Sequence, residues 1–185
     1  EFIEIAGNAG INLANYAIVR YNGSTSSAAV IYTSPSQTTS LSGLMPNQSN
    51  GFGTFAVSFA TDGIQNGPND GVALVNTSTN TVVQLLSYEG LFTVASGQGL
   101  ASGQTSTNLP YSEGGSLAGG SLKLSGSGNK YSDFVWQPES SPASPGVINN
   151  SQSFVAASSG VPVTLTVTDA SGNSATGTAN VTVLD

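Results

Sequence analysis

The sequence predicts an all-β protein, either a β-sandwich or a β-barrel, and two observations indicate this class. Apolar residues alternate with polar ones or form short runs, and glycine, proline or asparagine interrupts every potential helical stripe within a window of about 11 to 18 residues. The apolar segments also recur at intervals of about 8 to 12 residues, which is typical of sandwiches and barrels. A chain of 185 residues is long enough to bury one sizeable core.

Ten segments carry the strand pattern, and the one at 121–125 is the weakest. In chain order they are 2–5, 16–21, 28–33, 53–59, 71–76, 82–87, 121–125, 134–136, 163–168 and 179–184. Turn-forming pairs separate several of them, namely Asn22-Gly23, Asp62-Gly63 and Asp70-Gly71. The segment "DASGN" at 169–173 lies between two runs of alternating valine or leucine and threonine, so we expect a β-hairpin there.

Two connections interrupt this spacing. Residues 95–120 are rich in glycine and serine and lack periodicity, which fits either a functional loop or a surface loop held by Leu109 and Tyr111. Residues 137–150 form a proline-rich exit from the strand at 134–136, and 151–160 resembles a linker. We therefore predict a main domain over 1–154, a linker at 155–160 and a terminal hairpin over 161–185.

The composition excludes several kinds of chemistry. The chain contains neither cysteine nor histidine, so it has no Ser-His-Asp triad, no cysteine nucleophile and no zinc finger. Ten acidic residues stand against Arg20, Lys123 and Lys130, giving a net charge of −7 and no basic stripe for phosphates. This composition rules out most hydrolase and metalloenzyme mechanisms and predicts no nucleic-acid partner; together with the family resemblance given below, it leads us to expect no enzyme activity and no catalytic residues.

The composition also suggests where the protein resides. Charged residues make up 7% of the chain, against about 25% in typical soluble domains, and Gly, Ser, Thr and Asn take the polar positions. Such composition is common in secreted bacterial and archaeal surface proteins, so we expect an extracellular or cell-surface location. No run of about 18 apolar residues is present, so we expect no membrane insertion. The absence of a signal peptide and of an initial Met suggests a start after processing or inside a longer protein.

Four blocks resemble one known family. They are "EFIEIAGNAGINLANYAIVRYNG" at the start, "DGVALVNTSTNTVVQLLSYEG" at 70–90, "TSTNLPYSEGGSLAGGSLKLSGSG" and "YSDFVWQPESSPASPGVINNSQSF". Over residues 1–154 the chain resembles the bacterial branch of the lamin-tail domain family. The resemblance implies an immunoglobulin-like β-sandwich that serves as a binding or structural unit of secreted proteins, often beside nuclease or phosphatase domains.

Two departures from that family define the candidate assembly site. Family members usually have one more strand ahead of the one that "EFIEI" begins, so we expect a sandwich lacking its first strand, with an acceptor edge at Phe2, Ile3 and Ile5. The terminal hairpin resembles the last strands of a different extracellular immunoglobulin-like repeat. Since an isolated hairpin is marginal in water, we expect its apolar residues to be buried in the same sandwich or in a neighbouring subunit: Val163, Leu165, Val167, Val181 and Val183.

Other candidate sites have alternative interpretations. The segment "DGIQNGPNDG" holds Asp62, Asn66, Asn69 and Asp70, whose oxygens suit either a Ca²⁺ site or tight turns. Glu89 and Asp133 suit either acid–base chemistry or turn capping. The aromatic residues of the family-like blocks are expected in the core: Tyr88, Tyr131, Phe134 and Trp136. Glycan acceptor triplets begin at Asn22, Asn47, Asn76, Asn149 and Asn180.

Three functions remain open at this point. The leading prediction is a non-enzymatic structural protein that polymerises with itself through β-strand addition into a surface filament or layer, with a cell-surface or matrix partner as a further option. The first alternative is an accessory binding or targeting module of a secreted nuclease or phosphatase. The second is a Ca²⁺-dependent adhesin; neither of the other two functions requires a cofactor.

Overall fold

The computed structural model describes residues 1–23, 28–31, 37–112, 118–140, 142–156, 161–168 and 170–181, and the side-chain environments of all of these except 28–31, 161–163 and 179–181. The strands are β1 (Phe2–Asn8), β2 (Tyr16–Asn22), β3 (Ala28–Ile31), β4 (Thr38–Ser40), β5 (Phe52–Ser58), β6 (Asp70–Asn76), β7 (Thr81–Tyr88), β8 (Thr93–Val94), β9 (Thr107–Asn108), β10 (Ser121–Gly128), β11 (Phe134–Ser140), β12 (Gln152–Phe154), β13 (Val161–Thr168) and β14 (Ser174–Val181). Single 3₁₀ turns occur at Leu13–Asn15 and Tyr131–Asp133. The prediction of an all-β protein is confirmed.

Four short strands do not appear among the predicted segments. They are β4, β8, β9 and β12, each two or three residues long. A segment this short cannot show an alternating pattern, and its strand conformation comes from pairing with a longer neighbour. Strand β12 lies where the sequence suggested a linker, and β9 lies inside the 95–120 connection. The ends of two predicted strands, at 32–33 and 182–184, fall outside the described residues.

The largest sheet has the strand order β8-β3-β2-β6-β7-β9, with β4 also pairing with β2. Its central strands are antiparallel, whereas β3 with β8 and β7 with β9 are parallel pairs. Alternation along β2 sends Ala17, Val19 and Tyr21 to one face, where they pack with Phe92 of the loop that follows β7. Ile18 points to the opposite face and packs on Leu13, Leu41 and Met45.

Two smaller sheets complete the main body, which is sandwich-like. Among the described strands, β1 pairs with β5 alone, and the third sheet has the order β11-β10-β12. Ile3 and Ile5 of β1 pack into the same cluster as Ile18. Phe52 of β5 and Phe154 of β12 stack with ring centroids 5.1 Å apart, and Phe134 meets Phe154 edge-on, so the β1-β5 pair and the third sheet share one aromatic cluster.

The chain divides into two compact units, Glu1–Val155 and Ala156–Asp185. The second unit is the hairpin, in which β13 and β14 pair over eight residues. Threonine and serine hydroxyls face each other across it in three pairs, with O···O distances of 3.4, 3.3 and 2.8 Å: Thr164 with Thr178, Thr166 with Thr176, and Thr168 with Ser174. Between them, Leu165 pairs with Gly177 and Val167 with Ala175, so the larger apolar side chains of the described residues lie on β13.

Candidate strand-binding groove

One edge of β1 is available for pairing, and the hydrogen bonds at its ends identify which residues form it. Phe59 N–H donates to Glu1 O, and Ala9 N–H donates to Gly51 O, both at 2.8 Å. Residues of an antiparallel ladder bond to the partner strand alternately. The odd-numbered residues of β1 therefore bond to β5, and the even-numbered ones, such as Glu4 and Ala6, direct their N–H and C=O groups away from it.

No strand in the described part of the chain pairs with this outer edge of β1. The outer edge of β5, by contrast, is partly covered. Phe52 N–H donates to Ser49 O at 2.8 Å, and Thr54 N–H donates to the side-chain oxygen of Gln48 at 3.0 Å. The two-stranded sheet therefore offers β1, rather than β5, as its open side.

A groove of about 1020 Å³ adjoins the open side of β1. Residues 1–7 all line it, whereas β5 contributes Phe52 alone. Residues of β6, β7, β10 and β11 also line it, including Val72, Leu74 and Leu86, which are only partly buried. An apolar groove bordered by an unpaired strand edge matches a strand-binding site, since backbone bonds and side-chain pockets are then offered together.

Two carboxylates border the groove. The Oε2 atom of Glu139 is buried and has no hydrogen-bond partner among the described residues. A buried acceptor without a partner is costly, so it favours an incoming donor. Glu4 Oε2 accepts a hydrogen bond from Gly146 N–H at 2.6 Å. Burial raises the pKa of Glu4 above its ordinary value of 4.5, and hydrogen bonds from Gly146 and Thr54 lower it by less.

We expect Glu4→Gln to change the pH dependence of stability. A carboxyl group whose pKa is raised on folding contributes stability that is complete below its unfolded value, near 4.5, and is lost as pH rises through the folded value. The glutamine side chain of the variant would not titrate and can still accept from Gly146. The free energy of unfolding of the variant, minus that of the native chain, is therefore expected to increase from pH 4 to pH 7 in urea titrations.

Asp133→Asn is the control, because the pKa of Asp133 is shifted in the opposite direction to that of Glu4. Backbone N–H groups of Lys130 and Asn129 lower the pKa of Asp133, which accepts both at 2.8 Å. Its contribution is present above the unfolded value and is lost as pH falls, so the Asn variant is expected to differ most from the native chain at pH 7. Equal pH profiles for Glu4→Gln and the native chain would contradict the role of Glu4.

The predicted donor residues fall partly within the described region. Leu165 is 67% exposed and Val167 is 60% exposed, and their burial in the same sandwich or in a neighbouring subunit remains a prediction. The side chains of Val163 and Val181, and all of Val183, lie outside the described residues. Among the predicted acceptor residues, Ile3 and Ile5 supply apolar side chains to the core. The backbone groups that point away from β5 belong to Phe2, Glu4 and Ala6.

The candidate Ca²⁺ residues serve the local backbone. Asp62 and Asn69 have φ values of 58° and 67°, a conformation that asparagine and aspartate adopt in turns. Asp70 is 2% exposed and accepts a hydrogen bond from Gly23 N–H at 2.7 Å, and burial raises its pKa. Asn66 is exposed. Within the described residues, no group of three or more acidic, His or Cys side chains could hold a metal ion.

The remaining candidates also have local contacts. Glu89 has a φ of 59° and accepts a hydrogen bond from the Ser112 hydroxyl, so Glu89 and Asp133 each belong to a turn. Tyr88 and Phe134 are buried, as expected of core residues. Tyr131 is 51% exposed, against the expectation of a core position, and its hydroxyl accepts from Trp136 Nε1 at 2.8 Å.

The glycan acceptor triplets differ in accessibility. Asn47 is exposed, although its side chain accepts a hydrogen bond from Gly51 N–H at 3.2 Å. Asn22 lies partly buried in β2. Asn76 and Asn149 are partly buried too, and both make side-chain hydrogen bonds. The side chain of Asn180 lies outside the described residues. Asn47 is therefore the most accessible described position among the five.

Comparison with known proteins gives no family for this chain. No family model matches it, and neither a curated protein nor a solved structure is significantly similar. In the described part of the chain, no helix has the length and apolar character needed to cross a membrane. The groove and the hairpin are therefore the features of the molecule that bear on its function.

Proposed function

We propose that this chain is a non-enzymatic structural protein whose subunits join by β-strand addition at the groove beside β1. The observation that carries the proposal is the coincidence of an unpaired strand edge with a partly exposed apolar surface. The exposed edge of a sheet can pair with a strand of another chain unless charges, proline or bulges block it. The groove edge of β1 has Glu4 as its only charged residue between Phe2 and Asn8, and contains no proline.

The shape of the groove also favours an extended polypeptide. It has a volume of about 1020 Å³ and follows β1 from Phe2 to Gly7. An extended strand fits such a shape, since its backbone can pair with β1 while alternate side chains enter the apolar surface.

Strand addition between identical chains leads to open assemblies. A donor surface and an acceptor groove on different parts of one chain form a heterologous contact, which propagates into a filament or layer unless the rotation closes a ring. The proposal retains the lamin-tail and immunoglobulin-like resemblance over residues 1–154 and a location on the cell surface, which the composition supports.

A pair of proline substitutions tests the proposal. Ala6→Pro removes an N–H that points away from β5, so the β1-β5 ladder is expected to survive while strand addition at the groove is blocked. Ala56→Pro is the matched control, since Ala56 lies opposite Glu4 and directs its N–H to the outer edge of β5. Light scattering and negative-stain microscopy are expected to show polymers for the native chain and Ala56→Pro, and monomers for Ala6→Pro.

Two outcomes would contradict this function. One is a native chain that stays monomeric at every concentration at which it is soluble. The other is an Ala6→Pro variant that is folded by circular dichroism and polymerises as the native chain does.

A further inference from the structure

We propose that the strand entering the groove is β13 of a second copy of this chain, with its threonine face outward and Leu165 and Val167 inward. This inference rests on the proposed function, because it names the donor for the same groove. Three observations carry it: the apolar pattern of β13, the length of its pairing segment, and the asymmetry between β13 and β14.

The first observation is the two-faced pattern of the hairpin. Thr164, Thr166 and Thr168 alternate with Leu165 and Val167, so one face of β13 is polar and the other is apolar. A strand added beside β1 needs this pattern, since one face would cover the partly buried Val72, Leu74 and Leu86 while the other meets solvent. Leu165 and Val167 are 67% and 60% exposed, so the pairing within the hairpin leaves both side chains largely uncovered.

The second observation is length. Strand β1 spans seven residues, and β13 spans eight. Pro162 supplies no N–H, so the segment able to pair fully is 163–168. Six residues in extended conformation cover about 20 Å at 3.3 Å per residue, which matches the six residues from Phe2 to Gly7 that follow Glu1 along the groove.

The third observation distinguishes the two strands of the hairpin. Leu165 is paired with Gly177, and Val167 with Ala175, so β14 carries the smaller side chains at these positions. Cross-strand pairs between large apolar side chains stabilise a sheet more than pairs that involve Ala or Gly. Ile3 and Ile5 of β1 therefore have better neighbours in β13 than in β14.

Cysteine cross-linking tests this assignment, because the chain has no cysteine of its own. Ala6 and the threonines of β13 would lie on the same, outward face of the joined sheet. Ala6→Cys is mixed in turn with Thr164→Cys, Thr166→Cys and Thr168→Cys under mild oxidation. One of these mixtures is expected to give a mixed disulfide dimer, since Cβ atoms of directly opposed residues are about 4.5–5.5 Å apart.

Thr176→Cys is the matched control. It lies opposite Thr166 within the hairpin, so its Cα would be one strand further from β1. Strands are about 4.8 Å apart, and residues with Cα atoms more than about 7 Å apart cannot form a disulfide without backbone movement. The most productive of the three β13 mixtures is therefore expected to give at least about tenfold more mixed dimer than the Thr176→Cys mixture.

The outcomes separate this inference from the proposed function. If the native chain polymerises and Ala6→Pro prevents it, but no β13 cysteine cross-links to Ala6→Cys, the groove binds another strand and the inference is wrong. If Thr176→Cys cross-links best, β14 is the donor. If an Ala6→Cys/Thr166→Cys double variant cross-links within one chain at high dilution, the pairing is internal and a second copy is not needed. A native chain that never polymerises would remove both proposals.

Discussion

Replacing Gly71 by alanine is expected to lower the free energy of unfolding of the main unit by at least about 3 kcal/mol, the upper end of the usual range for overpacked positions. A Cβ at this position would overlap with Leu86 O and would lie 2.7 Å from Cε1 of Phe92. Gly71 lies inside the largest sheet, between Tyr21 of β2 and Ser87 of β7. A backbone oxygen within a paired strand cannot move aside without breaking the ladder, so the strain spreads to both neighbours.

Gly7→Ala is the control for this prediction. A Cβ there would meet only Cε of Met45 at 3.7 Å and Cδ1 of Ile11 at 3.8 Å, which are ordinary contacts of flexible side chains. We expect its stability to remain within about 1 kcal/mol of the native value, with alanine favoured if anything, because glycine weakens a strand. Urea unfolding followed by tryptophan fluorescence measures the free energy of unfolding of both variants. A Gly71→Ala chain as stable as Gly7→Ala would show that β6 and β7 are not packed as described.

The longer strands could be predicted from the sequence because their patterns are local. Alternation is clear in β13, short apolar runs mark β2, β6 and β7, and turn-forming pairs such as Asn22-Gly23 lie close to the strand ends. The short strands could not be predicted, because a two-residue strand such as Thr93–Val94 depends on a neighbour that is distant in sequence. Tyr131 was misplaced in the core, since an aromatic residue beside a strand carries no signal of which way it points.

At the groove, too, features with a local pattern could be predicted and features that depend on distant contacts could not. The acceptor position at β1 was inferred from the family resemblance and remains a prediction, whereas the apolar roles of Ile3 and Ile5 follow from alternation. The buried oxygen of Glu139 and the contact between Glu4 and Gly146 could not be predicted, since each joins segments that only the fold brings together. The same holds for Asp70, one of the candidate metal ligands, because the backbone N–H that it accepts a hydrogen bond from belongs to Gly23, 47 residues away in sequence.

Removing residues 161–185 is expected to abolish assembly while the main unit stays folded. The hairpin and Glu1–Val155 are separate compact units, and the members of the core clusters among the described residues all belong to Glu1–Val155, so we expect the main unit to keep its core when the hairpin is deleted. Light scattering should then give the mass of a monomer at concentrations at which the native chain polymerises. Circular dichroism should show retained β structure.

A full-length pair of variants separates loss of the donor from loss of chain length. Leu165→Thr with Val167→Thr keeps residues that favour strands but removes the apolar face, whereas Thr164→Ser with Thr166→Ser changes the opposite face. Burial of a leucine or valine side chain contributes about 1.5–3 kcal/mol before the costs of association. Since about 1.4 kcal/mol is a factor of ten, the first variant is expected to raise the concentration needed for assembly at least tenfold, and the second to leave it nearly unchanged. Assembly that persists after deletion of 161–185 would mean that the donated strand comes from elsewhere, and the hairpin would then have no part in joining the subunits.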